Sequence, residues 1–462
     1  MTLAATIARF AARADLSGFP PEVVAAARRS ILDALSVAVA GSQTGTARAA
    51  RAALLGGGEE GDAAVLGTAL RGTASTAALL NGIAGHALDY DDVWADDDGV
   101  RAWRGHPSVC VLPACLAVAE AAGRPGRTVL EAYIVGVEIA GKLGSVFGPD
   151  LGRAGWHPTV VLGTVAAAAA AGRVLGLDPG RLEIALGIAA TEAGGLHRNF
   201  GTDTKPFHAG HAARCGVDAA LLAGAGFTAN PNAVADYVRV FGGDPATAVA
   251  VADELGASYE LATCGLAIKK YPCCRFAHLP VDAALDLVAE LSAGPEAVEE
   301  ILVRIQPGAD DALVCPDART GLEGKFSLPY AIAASVVDRR LSLGSFTDAA
   351  VLRPEVRRLM SRVRTEHRGD PGAEVVITAS GASISRRATV VRGDPANPLS
   401  PEEELDKCRS CLEGVVGGSA ADRLVAMVSG LADLRSAAEV VEVLRPQVGA
   451  NATLGSAAPA RG

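Results

Sequence analysis

The feature that most constrains this fold is a series of windows in which alanine and leucine recur at helical spacing and glycine or proline closes the window. The first, FPPEVVAAARRSILDALSVAVAG, starts at Phe19, has prolines at its beginning and ends at Gly41. Similar windows follow at 74–88, 108–122, 127–146, 159–176, 180–195, 209–225 and 281–293. Because aromatic residues make up only 4 % of the chain, we expect helices that pack closely through small side chains. The sequence therefore predicts a mainly α-helical protein.

The pattern changes after about residue 266. Ile301, Val303 and Ile305 alternate with polar residues, and the β-branched runs VVITASG and ATVVRGD are typical of strands and hairpins. The segment SPEE at 400–403 is typical of a helix N-terminus. We therefore expect a large helical domain and a smaller α+β domain. The predicted divisions are a first helical segment 1–266, an α+β domain 267–397, a C-terminal helical segment 398–447 and a flexible tail 448–462.

Composition argues against several classes of function. The net charge is −10 and no block of Lys and Arg is present, whereas nucleic-acid binding depends on clustered cations. The apolar run 159–172 is short of the roughly 18 to 20 residues that span a bilayer, and the first residues do not resemble a secretory signal. We expect a cytoplasmic protein with reduced thiols that binds neither nucleic acid nor membrane.

Lysine is rare in this chain, and its scarcity directs the search for a site. Of 42 cationic residues only six are lysine, at 142, 205, 269, 270, 325 and 407. Where arginine is used almost everywhere else, a retained lysine indicates a need for a compact ammonium charge. Seven of the eight histidines lie between residues 86 and 278. Four segments combine these residue types.

The first segment, NGIAGHALDYDDVW, contains His86, Asp89, Asp91 and Asp92. On a helix His86 and Asp89 would be i, i+3 neighbours in contact, and a loop carrying His106 would fold back over them. The alternative is a solvated acidic helix end with structural histidines.

The second and third segments each place a candidate residue beside a proline. His157 precedes a predicted helix, whose N-terminus would lower the pKa of the imidazole and favour its neutral form. Lys205 precedes Pro206, so we expect an extended turn to present it. A capping histidine and an ordinary exposed lysine are the alternatives.

The fourth segment, KKYPCCRFAH, joins the two predicted domains. It contains Lys269, Lys270, Cys274, Arg275 and His278. Because junctions between domains commonly hold small-molecule sites, these cations would suit a substrate with several carboxylates.

Together these segments resemble the MmgE/PrpD superfamily, which includes 2-methylcitrate dehydratases, cis-aconitate decarboxylases and iminodisuccinate epimerases. The resemblance rests on NGIAGHALDYDDV, HPSVCVLPACLAVAE, GWHPTVVLGTVAAAAAAGRVLGLD, TKPFHAGHAARCGVDAALLAGAGFTA and KKYPCCRFAH, in the order of the family, with the later KFSLPYAIA. It implies a helical domain built from both chain ends, an α+β lid from the middle, and a homodimer.

The resemblance also implies which residues form the site. The positions it assigns to catalysis are Asp89, His106, His157, Lys205, Lys269 and Tyr330. As candidate substrate-binding residues we add Lys270, Arg275, His278, Cys274, Asp92 and His86. Val93 stands where the family often has Thr, and Cys274 stands about where the decarboxylase has His. The loop 93–105, with Asp96 to Asp98, Arg101 and Arg104, is also longer and more charged than in that enzyme, and we expect it to alter substrate choice.

These residues suit proton transfer next to a carboxylate, with no metal or cofactor. Lys205 and Lys269 would stabilise the negative charge that builds on the carboxylate when a proton leaves. His157 or His106 would act as base or acid, Asp89 would orient or charge an imidazole, and Tyr330 would protonate a departing hydroxide.

The sequence therefore predicts a lyase acting on a small di- or tricarboxylic acid, by dehydration or by decarboxylation. An epimerase on the same scaffold is the first alternative, since reprotonation on the opposite face needs the same groups. A Mg²⁺-dependent diphosphate enzyme using Asp91 and Asp92, and a non-catalytic binding protein, are more remote.

Overall fold

The structure, a computed structural model, describes residues 1–57, 60–94 and 104–446. It confirms the predicted fold class, a mainly α-helical protein with a smaller α+β domain. Within the described residues, the first segment contains these helices: α1 Leu3–Arg13, α2 Pro21–Gly41, α3 Gly45–Leu55, α4 Ala74–Ala87, α5 Ser108–Ala121, α6 Gly126–Phe147, α7 Asp150–Arg153, α8 Pro158–Leu175, α9 Pro179–Glu192, α10 Thr204–Gly224, α11 Ala233–Val240, α12 Pro245–Ala252 and α13 Glu260–Thr263. Each predicted helical window up to residue 225 contains one of them, with ends that differ by a few residues.

The helices pack through small side chains, as the low aromatic content predicts. The six consecutive alanines 166–171 of α8 are fully buried, and α8 packs against α6 and α10. Where α4 meets α10, a methyl group added to Gly82 would lie 2.6 Å from the Cα of Gly210. Only glycine allows this approach, which places the N-terminal half of α10 directly against α4.

α8 is longer than the uncharged run from which it was predicted, because it begins at Pro158 and continues to Leu175. Among the described residues it is the one helix long and apolar enough, by length and composition, to cross a membrane. However, 89 % of this helix is buried inside the protein. A helix that is apolar on every side and surrounded by other helices is typical of a protein core.

Two short antiparallel strand pairs belong to the helical domain and its boundary. β1 Ala63–Ala64 pairs with β2 Arg71–Gly72, and β3 Val93–Trp94 pairs with β4 Leu266–Ala267. Residues 88–92 lie just before β3, and Lys269 lies just after β4. The second pair therefore brings two of the predicted site segments together.

The α+β domain contains the helices α14 His278–Glu290, α15 Gly321–Gly324, α16 Leu328–Asp338, α17 Asp348–Val351 and α18 Pro354–Met360, and the strands β5 Val298–Ile305, β6 Val363–His367, β7 Ala373–Ala379 and β8 Ala382–Ala388. The sheet order is β6-β5-β7-β8, with β5 and β6 parallel and the other pairs antiparallel. Ile301, Val303 and Ile377 point into a hydrophobic core of its own, against α14 and α16. We call this domain the lid.

The strands predicted at 301–305 and in VVITASG are confirmed, but the strand predicted at ATVVRGD is wrong beyond Ala388. Ser380 and Gly381 have φ values of 51° and 77°, which make a two-residue hairpin. The chain therefore returns at once, and its pairing with β7 ends where Ala388 faces Ala373. The polar edge strand β6, with the sequence VRTEH, carries no hydrophobic alternation and was not predicted.

Three further helices complete the large domain: α19 Pro401–Val416, α20 Ala420–Ser429 and α21 Ala438–Val443. α19 begins with the predicted capping box, in which Ser400 and Glu403 each bond the other's backbone N–H. Leu412, Leu424 and Val440 pack into the same core as the first segment. The predicted flexible tail 448–462 lies outside the described residues.

Candidate active site

The centre of the site is the turn 88–92 between α4 and β3. α4 ends at Ala87, and Asp89 has a φ of 50°, in the left-handed region that aspartate tolerates better than most residues. Because the helix has ended, the predicted i, i+3 contact between His86 and Asp89 is wrong. His86 Nδ1 instead lies 3.0 Å from both carboxylate oxygens of Asp91. These side chains are all buried, so the alternative of a solvated acidic helix end is wrong as well.

Two lysines share one oxygen of the Asp89 carboxylate. Lys205 Nζ donates to Asp89 Oδ1 at 2.8 Å, and Lys269 Nζ donates to the same atom at 3.1 Å. Asp89 Oδ2 is buried and has no hydrogen-bond partner among the described residues. Burial alone would raise the pKa of Asp89, but the two ammonium groups outweigh it and hold the pKa well below its usual range. The cluster of one carboxylate and two ammonium groups therefore carries a net positive charge.

Two further lysines hold the backbone on either side of Asp89. Lys325 Nζ donates to Leu88 O at 3.0 Å, and Lys407 Nζ donates to Tyr90 O at 2.8 Å. Four of the six lysines thus converge on residues 88–90, and five of the six are buried. The scarcity of lysine in the sequence therefore did indicate residues that belong to this site.

The expectation that Lys205 lies in an extended turn is wrong. α10 begins at Thr204, so Lys205 and Pro206 are its second and third residues. A proline is tolerated in the first turn because the N–H groups there have no partner within the helix. As a result, α10 directs Lys205 toward Asp89 from a rigid element.

The loop carrying His106 folds back over the turn 88–92, as predicted. His106 Nδ1 lies 2.8 Å from Asp91 Oδ2 and 2.8 Å from Asp92 O, and its Nε2 lies 4.0 Å from Asp89 Oδ1. The rings of His86 and His106 meet edge to face, with centroids 4.6 Å apart. Asp91 therefore anchors two imidazoles through their Nδ1 atoms.

His157 precedes α8, and it is paired with a histidine of α10. Its Nδ1 lies 3.1 Å from Nδ1 of His208. One of the two nitrogens must carry the proton, so the tautomers of the two rings are coupled. The ring of His157 also stacks on His86, with centroids 5.8 Å apart, and meets Phe200 edge-on at 4.9 Å.

These imidazoles are held in the neutral form. Burial lowers the pKa of His106 despite the opposing charge of Asp91, and it lowers the pKa of His157 well below its usual value, with Lys205 as the next cause. The direction for His157 is the predicted one, but burial and not the helix N-terminus is the main cause. Burial also lowers the pKa of His208 to about 4. At neutral pH these rings are proton acceptors.

A cavity of about 70 Å³ opens beside Asp89, between the helical domain and the lid. Its place between two domains is typical of a small-molecule site. The predicted residues that line it are Asp89, His106, His157, Lys205, Cys274 and Arg275. Burial raises the pKa of the Cys274 thiol to about 11, so it is neutral. Lys269 does not line the cavity but reaches this group through Asp89.

Three other predicted residues lie away from the cavity. The Tyr330 hydroxyl donates to Ser345 O inside the lid core. Lys270 Nζ lies 3.5 Å from a carboxylate oxygen of Glu403. His278 is buried under the segment 271–274, against the Tyr271 ring. In each case packing within the lid, or between the lid and α19, turns the side chain away.

Asp92 and His86 form a layer behind the cavity. Ser108 Oγ donates to Asp92 Oδ2 at 2.6 Å, and burial raises the pKa of Asp92 to about 8, so this carboxyl is protonated at neutral pH. His86 lies between His106 and His157 and does not line the cavity. Both support the site from inside the helical domain.

His86, Asp89, Asp91 and His106 offer ligand atoms that lie within 4.8 Å of one another. Imidazole and carboxylate are ligands that suit several divalent metals. However, Asp91 already bonds both imidazoles, and Asp89 is occupied by two ammonium groups that would repel a cation. The magnesium-diphosphate alternative fits worse, because Asp91 and Asp92 are completely buried. Asp96 to Asp98 of that hypothesis lie outside the described residues.

Sequence reasoning did not assign several residues that the structure places at the site. Lys325 carried a signal, since it is one of the six lysines, and His208 lay in the third segment. Arg104 lines the cavity and lies in the charged loop 93–105, whereas Phe200 lines it without any distinguishing pattern nearby.

Comparison with known proteins identifies the family of this chain. Two family models match the chain: the MmgE/PrpD N-terminal domain over residues 5–248 and the MmgE/PrpD C-terminal domain over residues 271–433. The first covers most of the helical domain, and the second covers the lid and the start of the C-terminal helices.

Similar proteins carry a common name. The cis-aconitate decarboxylase of Homo sapiens is 32 % identical over 403 residues, which is 81 % of each chain. The cis-aconitate decarboxylase of Mus musculus is 30 % identical over 394 residues, 80 % of this chain and 78 % of its own. That of Aspergillus terreus is 27 % identical over 476 residues, 95 % of each chain. The chain belongs to the MmgE/PrpD family.

Proposed function

We propose that the protein is a lyase that removes CO₂ from cis-aconitate or a closely related unsaturated tricarboxylic acid, without a metal or an organic cofactor. The observation that carries the proposal is the cluster of Asp89, Lys205 and Lys269, at a cavity also lined by the neutral imidazoles of His106 and His157. The names of the human, mouse and fungal relatives support the same reaction.

The reaction needs one proton and no oxidant or reductant. The bond between a CH₂ carbon and its carboxylate breaks, CO₂ leaves, and the electron pair forms a new C=C bond. The pair of the original C=C bond then takes a proton at the carbon next to another carboxylate. Negative charge therefore develops on that remaining carboxylate, and a fixed ammonium group beside it lowers the barrier.

Lys205 is the residue placed to meet that charge, because it lines the cavity while its ammonium group is held by Asp89. Lys269 lies on the other side of the same carboxylate oxygen and keeps the cluster positive. Since the charges are fixed before substrate arrives, little reorganisation is needed during the reaction.

His157 or His106 supplies the proton. Both are neutral in the free site, but a bound trianion raises the pKa of a neighbouring imidazole. Each ring therefore takes up a proton as substrate binds and can return it to carbon. His208 continues the path behind His157 through the 3.1 Å contact of their Nδ1 atoms.

Dehydration is less well served by this geometry. A departing hydroxide needs a proton donor, and Tyr330, which we predicted for that role, spends its hydroxyl on Ser345 O. Tyr330 is therefore not placed for that role, and the names of the relatives support loss of CO₂ over loss of water.

The test is product analysis by NMR after incubation with cis-aconitate, citrate, 2-methylcitrate and related dicarboxylates, all with EDTA. We expect CO₂ and a shorter unsaturated acid from cis-aconitate alone. His157→Asn should abolish the reaction, whereas His367→Asn, an exposed histidine of β6, should not. Water loss from citrate or 2-methylcitrate would identify a dehydratase, and exchange without net change would identify an epimerase. Inhibition by EDTA, or no reaction of any acid, would contradict the proposal.

A further inference from the structure

A second, wider cavity lies outside the first, also between the helical domain and the lid. Its volume is about 790 Å³, and it shares three lining residues with the inner cavity: Arg104, Arg275 and Phe276. These residues therefore form the boundary between an outer groove and the reaction site. Two of the three are cations that come from different domains.

We propose that Arg104 and Arg275 form a second carboxylate-binding site at this boundary, which holds the substrate carboxylate farthest from Asp89. The inference rests on the proposed function and extends it, since it gives the reason for a preference for acids whose carboxylates reach both sites over acids with a single carboxylate.

Each arginine is anchored by one nitrogen and has another that is unused. Arg104 Nη1 donates to Glu260 Oε2 at 2.7 Å, and Arg275 Nη2 donates to Asp394 Oδ2 at 2.5 Å. The Nε atom of each is buried and has no hydrogen-bond partner among the described residues. A guanidinium group has five N–H donors, so its contact with the anchoring carboxylate leaves others for a substrate carboxylate. The anchoring carboxylates hold both guanidinium groups in place for this.

The surroundings keep these groups in position. A methyl group added to Gly144 of α6 would lie 3.1 Å from Arg104 Cγ, so the stem of Arg104 packs directly on the helix backbone. Glu260 Oε1 also lies 3.2 Å from Lys142 Nζ, and the same ammonium group is shared with Glu138 and Glu254. Glu260 is therefore held in a network of charges, which fixes the position of Arg104.

The consequence is a division of the substrate between two sites. One carboxylate meets Lys205 in the inner cavity, and another meets the arginines at its mouth. A monocarboxylic acid of similar length fills only one of the two sites. Because Arg104 belongs to the helical domain and Arg275 to the lid, the outer carboxylate also links the two domains.

The test is calorimetric binding of two unreactive acids, propane-1,2,3-tricarboxylate and the monocarboxylate pentanoate, to the full-length protein. The wild type should bind the tricarboxylate more tightly. Arg104→Met and Arg275→Met should each weaken tricarboxylate binding roughly 10- to 100-fold, as expected for loss of a charged hydrogen bond, and leave pentanoate binding nearly unchanged. Arg304→Met is the matched control, because Arg304 also pairs with carboxylates but lines neither cavity.

A third variant tests the site without removing an arginine. Asp394→Asn frees Arg275 from its internal partner and should tighten tricarboxylate binding. An unchanged preference in both arginine variants, or weaker binding in Asp394→Asn, would overturn the proposed site and leave the proposed reaction standing. Failure of the wild type to bind either acid would overturn the proposed function itself, and the outer site with it.

Discussion

At the scale of single residues, the site is built from charges that are buried next to opposite charges. Taking an ion out of water is costly, and the cost is offset only when the ion is paired and hydrogen-bonded. Asp89 meets this condition twice, through Lys205 and Lys269. One ammonium group is enough to neutralise the carboxylate. The second therefore leaves one positive charge, which a substrate anion would pair with.

Replacing Lys269 should therefore slow catalysis strongly. We expect Lys269→Met to lower kcat for cis-aconitate by about 10²- to 10³-fold, the size typical of losing one group that stabilises developing negative charge. Lys270→Met is the matched control, since the neighbouring lysine is exposed to 36 % and faces Glu403. Steady-state kinetics of both variants, with circular dichroism to confirm folding, is the measurement. Full turnover in Lys269→Met would contradict its role.

Lys325 gives the site a pH dependence. Burial lowers the pKa of this lysine to about 8, so its ammonium group is charged below pH 8 and loses its proton above it. The positive field around Asp89 weakens as that proton leaves, and we expect kcat/KM to fall as pH rises through about 8. A pH profile of Lys325→Met should lack this alkaline limb. The same limb in the variant would assign the transition to another group.

Residue types were predictable from the sequence, but their partners were not. The rare lysines and the clustered histidines identified most of the side chains around the cavity. Lys205 and Lys269 are 116 and 180 positions from Asp89, so no local pattern reports that they share one oxygen. Local sequence also does not show that Tyr330 lies away from the cavity, because packing in the lid decides where its hydroxyl points.

At the scale of elements, close helix contact determines where the catalytic groups lie. α10 carries Lys205 and His208, and α4 leads into the turn with Asp89. Gly210 of α10 packs on the backbone of α4, where a methyl group would overlap Leu79 O and lie 2.8 Å from Ile83 Cγ1. The distance between the two helices is therefore fixed by the absence of a side chain.

Gly210→Ala should reduce both stability and activity. Overpacking at such a contact costs about 1–3 kcal/mol, and displacement of α10 moves Lys205 away from Asp89. Gly224→Ala, at the other end of α10, is the control, because its new methyl group would lie an ordinary 3.5 Å from Leu177. Urea unfolding and kcat report the two effects. Equal free energies of unfolding for the two variants would show that α4 and α10 can move apart without loss of stability.

Long periodic elements were predictable from the sequence, whereas short or polar ones were not. The helices of the first segment follow from apolar residues that recur every three or four positions. The edge strand β6 has no such signal, and the hairpin at Ser380 sets the end of β8 regardless of the β-branched residues that follow. The position of Lys205 inside α10 shows that a proline two residues into a helix does not exclude it.

At the scale of the whole molecule, two hydrophobic cores enclose the site between them. The larger core joins residues from 3 to 266 with residues from 408 to 444, and the smaller one belongs to the lid. The candidate catalytic groups come mainly from the helical domain, and Cys274 and Arg275 come from the lid. A change in the position of the lid therefore changes the outer wall of the cavity more than its base.

We expect the protein to form a homodimer, as the resemblance to the family implies. Exposed apolar side chains on and just after α10, including Phe207, Leu221 and Phe227, are the surface that we expect a second copy to cover. Light scattering of the purified protein should give twice the chain mass of 46.7 kDa. A mass equal to that of one chain would contradict this expectation.

The most direct test of the proposed reaction is conversion of cis-aconitate in D₂O, followed by mass spectrometry and by measurement of released CO₂. Protonation of carbon by His157 or His106 predicts one CO₂ for each acid consumed and one deuterium in the shorter product. The deuterium should lie on the carbon that belonged to the original C=C bond and bears one of the two remaining carboxylates. A product that keeps every carbon of the substrate, whether hydrated or only exchanged with solvent, would contradict the account.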